Sequence, residues 1–256
     1  MATKKPAPKK APASKPKQPA KKKSRSFGDK VKWFFIKLML WFFGLSIGSV
    51  IFFKYIPVPF TPLMLIRAIE NKMGGKEVYF DHDWEPIEKI SMNLQKAVIA
   101  SEDGTFLKHN GFDFKALQKA YKSNERGRRI RGGSTISQQT AKNVFLWHGR
   151  SFIRKGLEAY FTILIEIIWD KERILEVYLN VAEMGKMTFG VEAASLRYYK
   201  KSAKNLTRAE AARIAAVLPN PIRFSIKNPS AYVMKRSNQI TRQMRALGGQ
   251  KYIADL

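Results

Sequence analysis

Residues 151–169 read SFIRKGLEAYFTILIEIIW, and this stretch carries the clearest helical pattern in the chain. Its large apolar side chains recur at the spacing of one helical face, at Ile153, Leu157, Phe161, Leu164 and Ile168. Such a stripe usually packs in a protein core, and partial insertion into the outer leaflet of a membrane is the alternative interpretation. The stretch therefore predicts a helix of the globular body.

Helical signals continue on both sides of this stretch. Asp170 can cap a following helix, and the capping box Thr207–Glu210 precedes an Ala-rich helical segment. Asn228 is followed by a proline and can start a last helix. Upstream, apolar residues at helical spacing run through Pro86–Glu102. Because alternating strand patterns are almost absent and no internal repeat is found, we predict a mainly α fold.

A membrane-length apolar segment precedes these helices. Residues 33–55 are almost entirely apolar, with Lys37 within about a turn of the inner end, where it can snorkel. At 1.5 Å per residue the segment spans roughly 35 Å, enough to cross a bilayer core of about 30 Å. A cleaved signal peptide is the alternative, but no small-residue cleavage site follows; the next residues include Pro57, Pro59 and Pro62. We therefore predict an uncleaved transmembrane helix.

Basic residues are unevenly distributed along the chain, whose net charge is +27. The Lys-rich tail cannot bury enough surface to fold, and the positive-inside rule places it in the cytoplasm. The basic body predicts an anionic partner: nucleic acid, acidic lipid headgroups or a pyrophosphate substrate. The absence of cysteine excludes disulfides and thiolate metal sites. The predicted division is a disordered tail at 1–30, a transmembrane helix at 31–56, a membrane-proximal stalk at 57–82 and a globular domain at 83–256.

Four polar motifs follow the apolar segment in order: EDGTFLKHNGFD at 102–113, GGSTISQQ at 132–139, Arg154-Lys155 with Glu158, and ILEVYLN at 174–180. A positioned glutamate can act as a general base, although a lone glutamate is more often a solvated helix-end residue. The glycines of the second motif lead into a predicted helix at 136–145. The free N–H groups at the start of this helix can bind an anion. The alternative is a purely structural role, in which the glycines form a turn and Ser134 or Thr135 caps the helix.

Arg154 and Lys155 precede Glu158 by four and three residues, so a helix brings the three side chains together. They form either a surface ion pair of little energetic value or an electropositive clamp for phosphate, with Lys142 and Arg150 nearby.

The ordered series resembles the monofunctional peptidoglycan glycosyltransferases of glycosyltransferase family 51, over roughly residues 83–247. The resemblance implies a lysozyme-like helical lobe with a small membrane-facing jaw subdomain, preceded by one transmembrane helix. It implies Glu102 as general base and Glu158 as a second essential glutamate, with Asp113 helping to shape the cleft. The substrate-binding residues that it implies are Asp103, Phe106, His109, Ser134, Gln138, Gln139, Lys142, Arg150, Arg154 and Lys155.

The activity that this resemblance implies is the polymerisation of lipid II into β-1,4-linked glycan strands, with inversion and release of undecaprenyl pyrophosphate. The implied location is the bacterial inner membrane, with the N-terminus cytoplasmic and the catalytic domain periplasmic. Lipid II, the growing strand, membrane lipids and cell-wall synthesis or division proteins are the implied partners. Nucleic acid is not expected, because the basic loop at 126–131 lacks interleaved aromatic residues and would lie outside the cytoplasm.

Two other functions were weighed against this one. A lysozyme-like or lytic glycan-cleaving enzyme would share the lobe and a catalytic glutamate, but it has no anionic leaving group that needs cations. A non-enzymatic, membrane-anchored binder of acidic polymers explains the charge without the ordered motifs. His109 and His148 lack the spacing of a zinc site. The resemblance allows a divalent cation, Mg²⁺ or Mn²⁺, at the pyrophosphate, although no motif encodes its site, and no organic cofactor is expected.

Overall fold

The structure is a computed structural model of the 256-residue chain, and it describes residues 26–75, 77–118, 133–149 and 151–247. Two compact units are distinguished, Met1–Phe43 and Gly44–Leu256. Residues 1–25 of the predicted tail lie outside the described residues. Helix α1 begins at Phe27, ahead of the predicted boundary at residue 31, and its first turn holds Asp29, a charge that the helix dipole favours there.

Helix α1, Phe27–Tyr55, has 29 residues and is long and apolar enough to cross a membrane. It fits a single-pass membrane anchor. Its last part packs within the second unit, where Val50 is fully buried. The indole N–H of Trp169 donates to the Val50 carbonyl at 2.8 Å. The sequence pattern did not predict this packing, because a segment that contacts lipid and a segment that contacts protein have the same apolar composition.

The remaining helices follow in the second unit. They are α2 Pro62–Met73, α3 Met92–Glu102, α4 Ile136–Phe145, α5 Phe152–Ile168, α6 Lys171–Val181, α7 Val191–Tyr199, α8 Arg208–Val217 and α9 Ala231–Ala246. Short 3₁₀ turns lie at Ile87–Lys89, Phe106–Lys108 and Ala203–Asn205.

The second unit also has three short strands: β1 Asp81–His82, β2 Glu183–Gly185 and β3 Thr188–Phe189. The sheet order is β1-β3-β2, with β1 parallel and β2 antiparallel to β3. Because strands of two or three residues are too short for an alternating pattern, the sequence could not predict them. The mainly α prediction is confirmed.

Two sets of helices carry the core of the second unit. Helix α8 packs on α3 and α9, and α4 packs on α5 and α6. The side chains at their centres are fully buried, among them Leu94, Ile136, Ile165, Leu175 and Ile214. The first set positions the end of α3, and the second positions the pocket described below.

The sequence correctly predicted several helix starts because their caps are local. Asp170 caps α6 by accepting from the Arg173 amide at 2.7 Å, and Thr207 and Glu210 form the expected capping box. The last helix instead begins at Ala231, since Ser230 is its cap.

The segment from Pro86 to Glu102 is also not one helix. Ser91 caps α3 after an extended residue, Ile90. The Gln95 side-chain nitrogen donates to the carbonyls of Ile87 and Ile90 at 3.1 and 2.9 Å, which stabilises the break.

Helix α5 has a core face and an exposed apolar face. Phe161 is buried, and the stripe residues Leu157, Leu164 and Ile168 pack partly against the core. Ile153 is the exception among the predicted stripe residues, because it is 76% exposed. Phe152, Ile163 and Ile167 are also exposed apolar residues of this helix.

Candidate active site

A polar cavity of about 280 Å³ lies between α4 and α5. Helix α4 contributes two amides and a lysine, and α5 contributes two cations and an acid. The lining residues are Ser134, Gln138, Gln139, Lys142, Arg154, Lys155 and Glu158. The structure therefore brings together residues from two separate motifs of the sequence.

A capping box fixes the start of α4. The Thr135 hydroxyl accepts from the main-chain N–H of Gln138 at 3.2 Å. The side-chain oxygen of Gln138 accepts in turn from the main-chain N–H of Thr135 at 3.0 Å. Helix α4 thus begins and ends at the predicted residues, Ile136 and Phe145. Since the side-chain oxygen of Gln138 serves the cap, its NH₂ group is the part that can donate to a ligand.

The first turns of α5 hold an acid between two cations. The Arg154 guanidinium donates to the Glu158 carboxylate at 2.7 Å, and the Lys155 ammonium donates to the other carboxylate oxygen. The Glu158 side chain is only 4% exposed. Arg154 keeps a buried Nε without a hydrogen-bond partner in the described part of the chain. The pair of Arg154 with Glu158 is therefore largely buried, whereas Lys155 is 51% exposed.

Lys142 adds a third cation to the pocket. Burial lowers its pKa, as do the neighbouring charges of Arg154 and Lys155, whereas Glu158 opposes this shift. Three cations and one acid leave the lining with a charge of +2 when all four are ionised. A buried excess of positive charge is unfavourable by itself and favours binding of an anion.

Glu102 ends α3 and is connected to the pocket through Gln139. The Gln139 amide nitrogen donates to one carboxylate oxygen at 3.1 Å, and Arg236 of α9 donates to the other at 3.3 Å. Burial raises the pKa of Glu102, and these two contacts only partly offset it. A carboxylate whose proton affinity is raised in this way is suited to act as a general base.

Two residues of this arrangement were missed by the sequence analysis. Tyr178 donates from its hydroxyl to the Gln139 side-chain oxygen at 3.2 Å, which turns the amide nitrogen toward Glu102. Burial raises the pKa of Tyr178 far above its ordinary value, so the hydroxyl keeps its proton. Tyr178 could have been found from the sequence, because it belongs to the ILEVYLN motif. Arg236 could not, because it lies 134 residues from Glu102 in a helix with several other basic residues.

Asp103, Phe106 and His109 are buried next to the base. The Asp103 carboxylate accepts from His109 Nε2 at 2.9 Å and from the Ile136 amide, the first N–H of α4, at 3.0 Å. Phe106 is fully buried. Asp113 accepts from the Thr105 hydroxyl and the Ala116 amide, and the Thr105 contact contributes most to its lowered pKa. These residues shape the loop that follows Glu102.

Comparison with known proteins identifies the family. Residues 70–245 match the family model described as Transglycosylase. The chain belongs to the transglycosylase family. It is similar to the biosynthetic peptidoglycan transglycosylase of Bdellovibrio bacteriovorus, with 56% identity over 209 residues, 82% of this chain and 83% of the relative.

Two further relatives carry the same description. The protein from Pasteurella multocida is 54% identical over 210 residues, 82% of this chain and 85% of the relative. The protein from Caulobacter vibrioides is 56% identical over 192 residues, 75% of this chain and 81% of the relative. Family membership confirms the resemblance that the four motifs carried, the lysozyme-like helical fold and the assignment as a glycosyltransferase. The roles of the individual residues stay predictions.

Two predicted features lie outside the described residues, namely Arg150 and the basic loop at 126–131. Within the described ranges, no group of three or more His, Asp or Glu side chains could hold a metal ion. The one acid that lines the pocket, Glu158, is already shared by two cations. This set of side chains does not fit a resident divalent cation, which prefers several carboxylate or carbonyl oxygens.

Proposed function

We propose that this chain polymerises lipid II into glycan strands. The observation that carries the proposal is Glu102, a largely buried glutamate whose side chain is 12% exposed and whose pKa is raised by burial. Gln139 joins it to a pocket with three cations. Transfer of a sugar from a lipid pyrophosphate needs both parts: a base for the acceptor hydroxyl and positive charge for the leaving group.

In the proposed reaction the acceptor hydroxyl attacks the anomeric carbon of the donor sugar. Glu102 takes the hydroxyl proton while the new glycosidic C–O bond forms on the face opposite the pyrophosphate. The bond between the anomeric carbon and the pyrophosphate oxygen breaks, and its electron pair leaves with the pyrophosphate. Attack from the opposite face inverts the configuration, so an α-linked donor gives a β-1,4 bond.

The pocket cations are proposed to bind the pyrophosphate. Arg154 offers its partnerless Nε, and Lys155, whose side chain is 51% exposed, can reach a ligand at the pocket mouth. Glu158, whose side chain is only 4% exposed, holds both cations in place through its two carboxylate oxygens. Lys142 contributes charge that burial makes costly in the absence of an anion.

A divalent cation, Mg²⁺ or Mn²⁺, is proposed only as a companion of the substrate and not as an ion bound by the protein alone. Because the pocket offers it no set of carboxylates, such an ion would be held mainly by the phosphate oxygens of the substrate. The residues of this chain account for the positive charge without it. We therefore assign the stabilisation of the leaving group to Lys142, Arg154 and Lys155.

The proposed location is the outer face of the bacterial inner membrane, where the substrate's lipid tail stays in the bilayer. The apolar helix α1 supports membrane attachment. Exposed apolar side chains on α2 and α5 support contact of the body with lipid; they are Leu65, Ile69, Met73, Phe152, Ile163 and Ile167.

The test is polymerisation by purified full-length protein in detergent or vesicles. Labelled lipid II should be converted to long glycan strands, and preformed strands given to the same preparation should stay intact. Cleavage of the strands without polymerisation would favour the glycan-cleaving enzyme. Binding of lipid II with neither reaction would favour the non-enzymatic binder.

A further inference from the structure

Glu166 and Lys171 form a largely buried ion pair outside the lining of the pocket. The Lys171 ammonium donates to Glu166 Oε1 at 2.8 Å, and the two side chains are 19% and 8% exposed. The desolvation of buried charges offsets most of their attraction, so such a pair is weak evidence for a stabilising role. The role of the pair therefore depends on the groups that Glu166 and Lys171 hold in place.

Each member of the pair holds a different part of the site. The Ser137 hydroxyl of α4 donates to Glu166 Oε1. Lys171 donates to the main-chain carbonyl of His109 at 2.7 Å and lies 4.6 Å above the centre of the Phe106 ring. The pair therefore links the start of α4 to the loop that follows Glu102.

A second connection, through His109 and Asp103, joins the same two segments. We call the two connections together the circuit. His109 contacts the Asp103 carboxylate, and Asp103 accepts from the Ile136 amide, next to Ser137. The loop also approaches α5 closely at Gly111, which has φ of +85°, because a Cβ there would lie 2.7 Å from a Thr162 methyl group. The Thr135 hydroxyl, at the start of α4, also donates to the Gly111 carbonyl at 2.6 Å, so the loop and α4 are fixed to each other at three places.

Both ends of this circuit are adjacent to the proposed catalytic contact. Glu102 directly precedes Asp103, and Gln139 lies two positions after Ser137. Gln139 donates to Glu102 at 3.1 Å, so a small shift of α4 against the loop would change this distance directly.

We infer that Glu166 and Lys171 are positioning residues for the transfer reaction, which fix the base Glu102 against the donor-binding helix α4 through Ser137 and the His109 carbonyl. The inference rests on the proposed role of Glu102. Displacement of a reacting group by about 1 Å can lower a rate by about 100-fold, so a pair that contacts no substrate can control turnover.

Ser137→Ala tests the inference with the smallest change, since it removes only the hydroxyl that joins α4 to Glu166. Ser137→Thr keeps that hydroxyl. The matched control is Thr140→Val, which removes another fully buried hydroxyl of the same helix, one that donates to the Ile136 carbonyl at 2.9 Å and does not belong to the circuit. For each variant, kcat and KM for lipid II and the Tm are measured.

Ser137→Ala is expected to lower kcat by about 10-fold or more with KM for lipid II within about 2-fold, because orientation is lost and the pocket cations stay. Thr140→Val should lower Tm by a similar amount and leave kcat within about 2-fold, since buried hydroxyls contribute comparable stability. Ser137→Thr should retain most of the wild-type kcat.

A normal kcat for Ser137→Ala overturns the inference, as does an equal loss of kcat in Thr140→Val. A folded Ser137→Thr that is as slow as Ser137→Ala also overturns it. Wild type and Glu102→Gln are assayed in parallel. An inactive wild type refutes the proposed function itself, whereas a fully active Glu102→Gln refutes only the role of Glu102 as the base, whatever the Ser137 variants do.

Discussion

Glu102 carries a cost to stability that its proposed role explains. Because burial raises its pKa in the folded protein, the folded state binds the proton more tightly than the unfolded chain does. Above the ordinary carboxyl pKa, ionised Glu102 therefore lowers the free energy of unfolding. Arg236 and Gln139 reduce this penalty without removing it.

Glu102→Gln should separate stability from activity. A neutral amide avoids the cost of burying a charge, so Tm at pH 7 should rise above the wild-type value. Polymerisation should fall by about 10² to 10⁴-fold, the usual contribution of a general base. Thermal unfolding and lipid II turnover are measured on one preparation. Turnover near the wild-type rate would show that another group takes the proton.

Arg236 should lower the pH at which Glu102 becomes active. Its positive charge lowers the pKa of Glu102, so removing it in Arg236→Ala raises that pKa further. The base must be ionised to accept a proton, and the acidic limb of the kcat/KM profile should therefore move to higher pH. Arg236→Lys should move it less. Arg242→Ala, an exposed position of the same helix, is the control and should leave the limb in place.

The phosphate clamp predicts a difference between arginine and lysine. Arg154→Ala should raise KM for lipid II or lower kcat more than Lys155→Ala, because Arg154 is the more buried cation and its planar fork can bind a phosphate with two donors. Lys201→Ala removes a cation from an ion pair with Glu210 and is the matched control. Kinetics are compared at one salt concentration. Equal, unchanged constants for all three would show that the pocket does not bind pyrophosphate.

At the scale of elements, the sequence predicted those features whose causes lie within a few residues. The start of α4 follows from Thr135 and Gln138, and the start of α6 follows from Asp170. The break before α3 was missed because its reason is a side chain, Gln95, which turns back to carbonyls that precede the helix. The strands were missed because they are too short for an alternating pattern, and because the pairing of β1 with β3 joins residues more than a hundred positions apart.

Gly190 is a position where an element boundary depends on one residue. Its φ is +80°, and a Cβ would lie 2.6 Å from the Asn180 carbonyl oxygen, at the junction of β3 and α7. Gly190→Ala should therefore destabilise the protein by about 1–3 kcal/mol or more.

Gly156→Ala is the matched control for this change. Gly156 lies inside α5 with open space around its Cβ position, so alanine should stabilise the helix by up to about 1 kcal/mol. Denaturant unfolding of both variants checks the signs. An equal effect in the two would contradict the assigned backbone strain.

At the scale of the whole molecule, the site is assembled from distant segments. Glu102, Gln139 and Arg236 come from three helices, and Tyr178 from a fourth. Periodicity cannot predict such contacts, because they depend on how helices pack. The ordered motifs did indicate the residues that line the cavity, since each motif brings its own chemistry. The contacts of Tyr178 and Arg236 with the site were not predicted, because they depend on packing.

Topology gives the prediction on which the proposed function depends, since lipid II is polymerised outside the inner membrane. The Lys-rich tail should lie in the cytoplasm and the body of the protein outside, by the positive-inside rule. The chain has no cysteine, so single cysteines can report each side. Lys204→Cys places one at an exposed position of the body, and Ser14→Cys places one in the tail.

A membrane-impermeant thiol reagent is given to cells whose outer barrier has been opened. It should label Lys204→Cys in these cells and label Ser14→Cys only after the inner membrane is broken. The reverse pattern would place the pocket on the cytoplasmic side, where a strand polymerised by Glu102 could not join the wall. Since the charge of the tail sets this orientation, replacing its lysines with neutral residues should weaken the difference between the two labels.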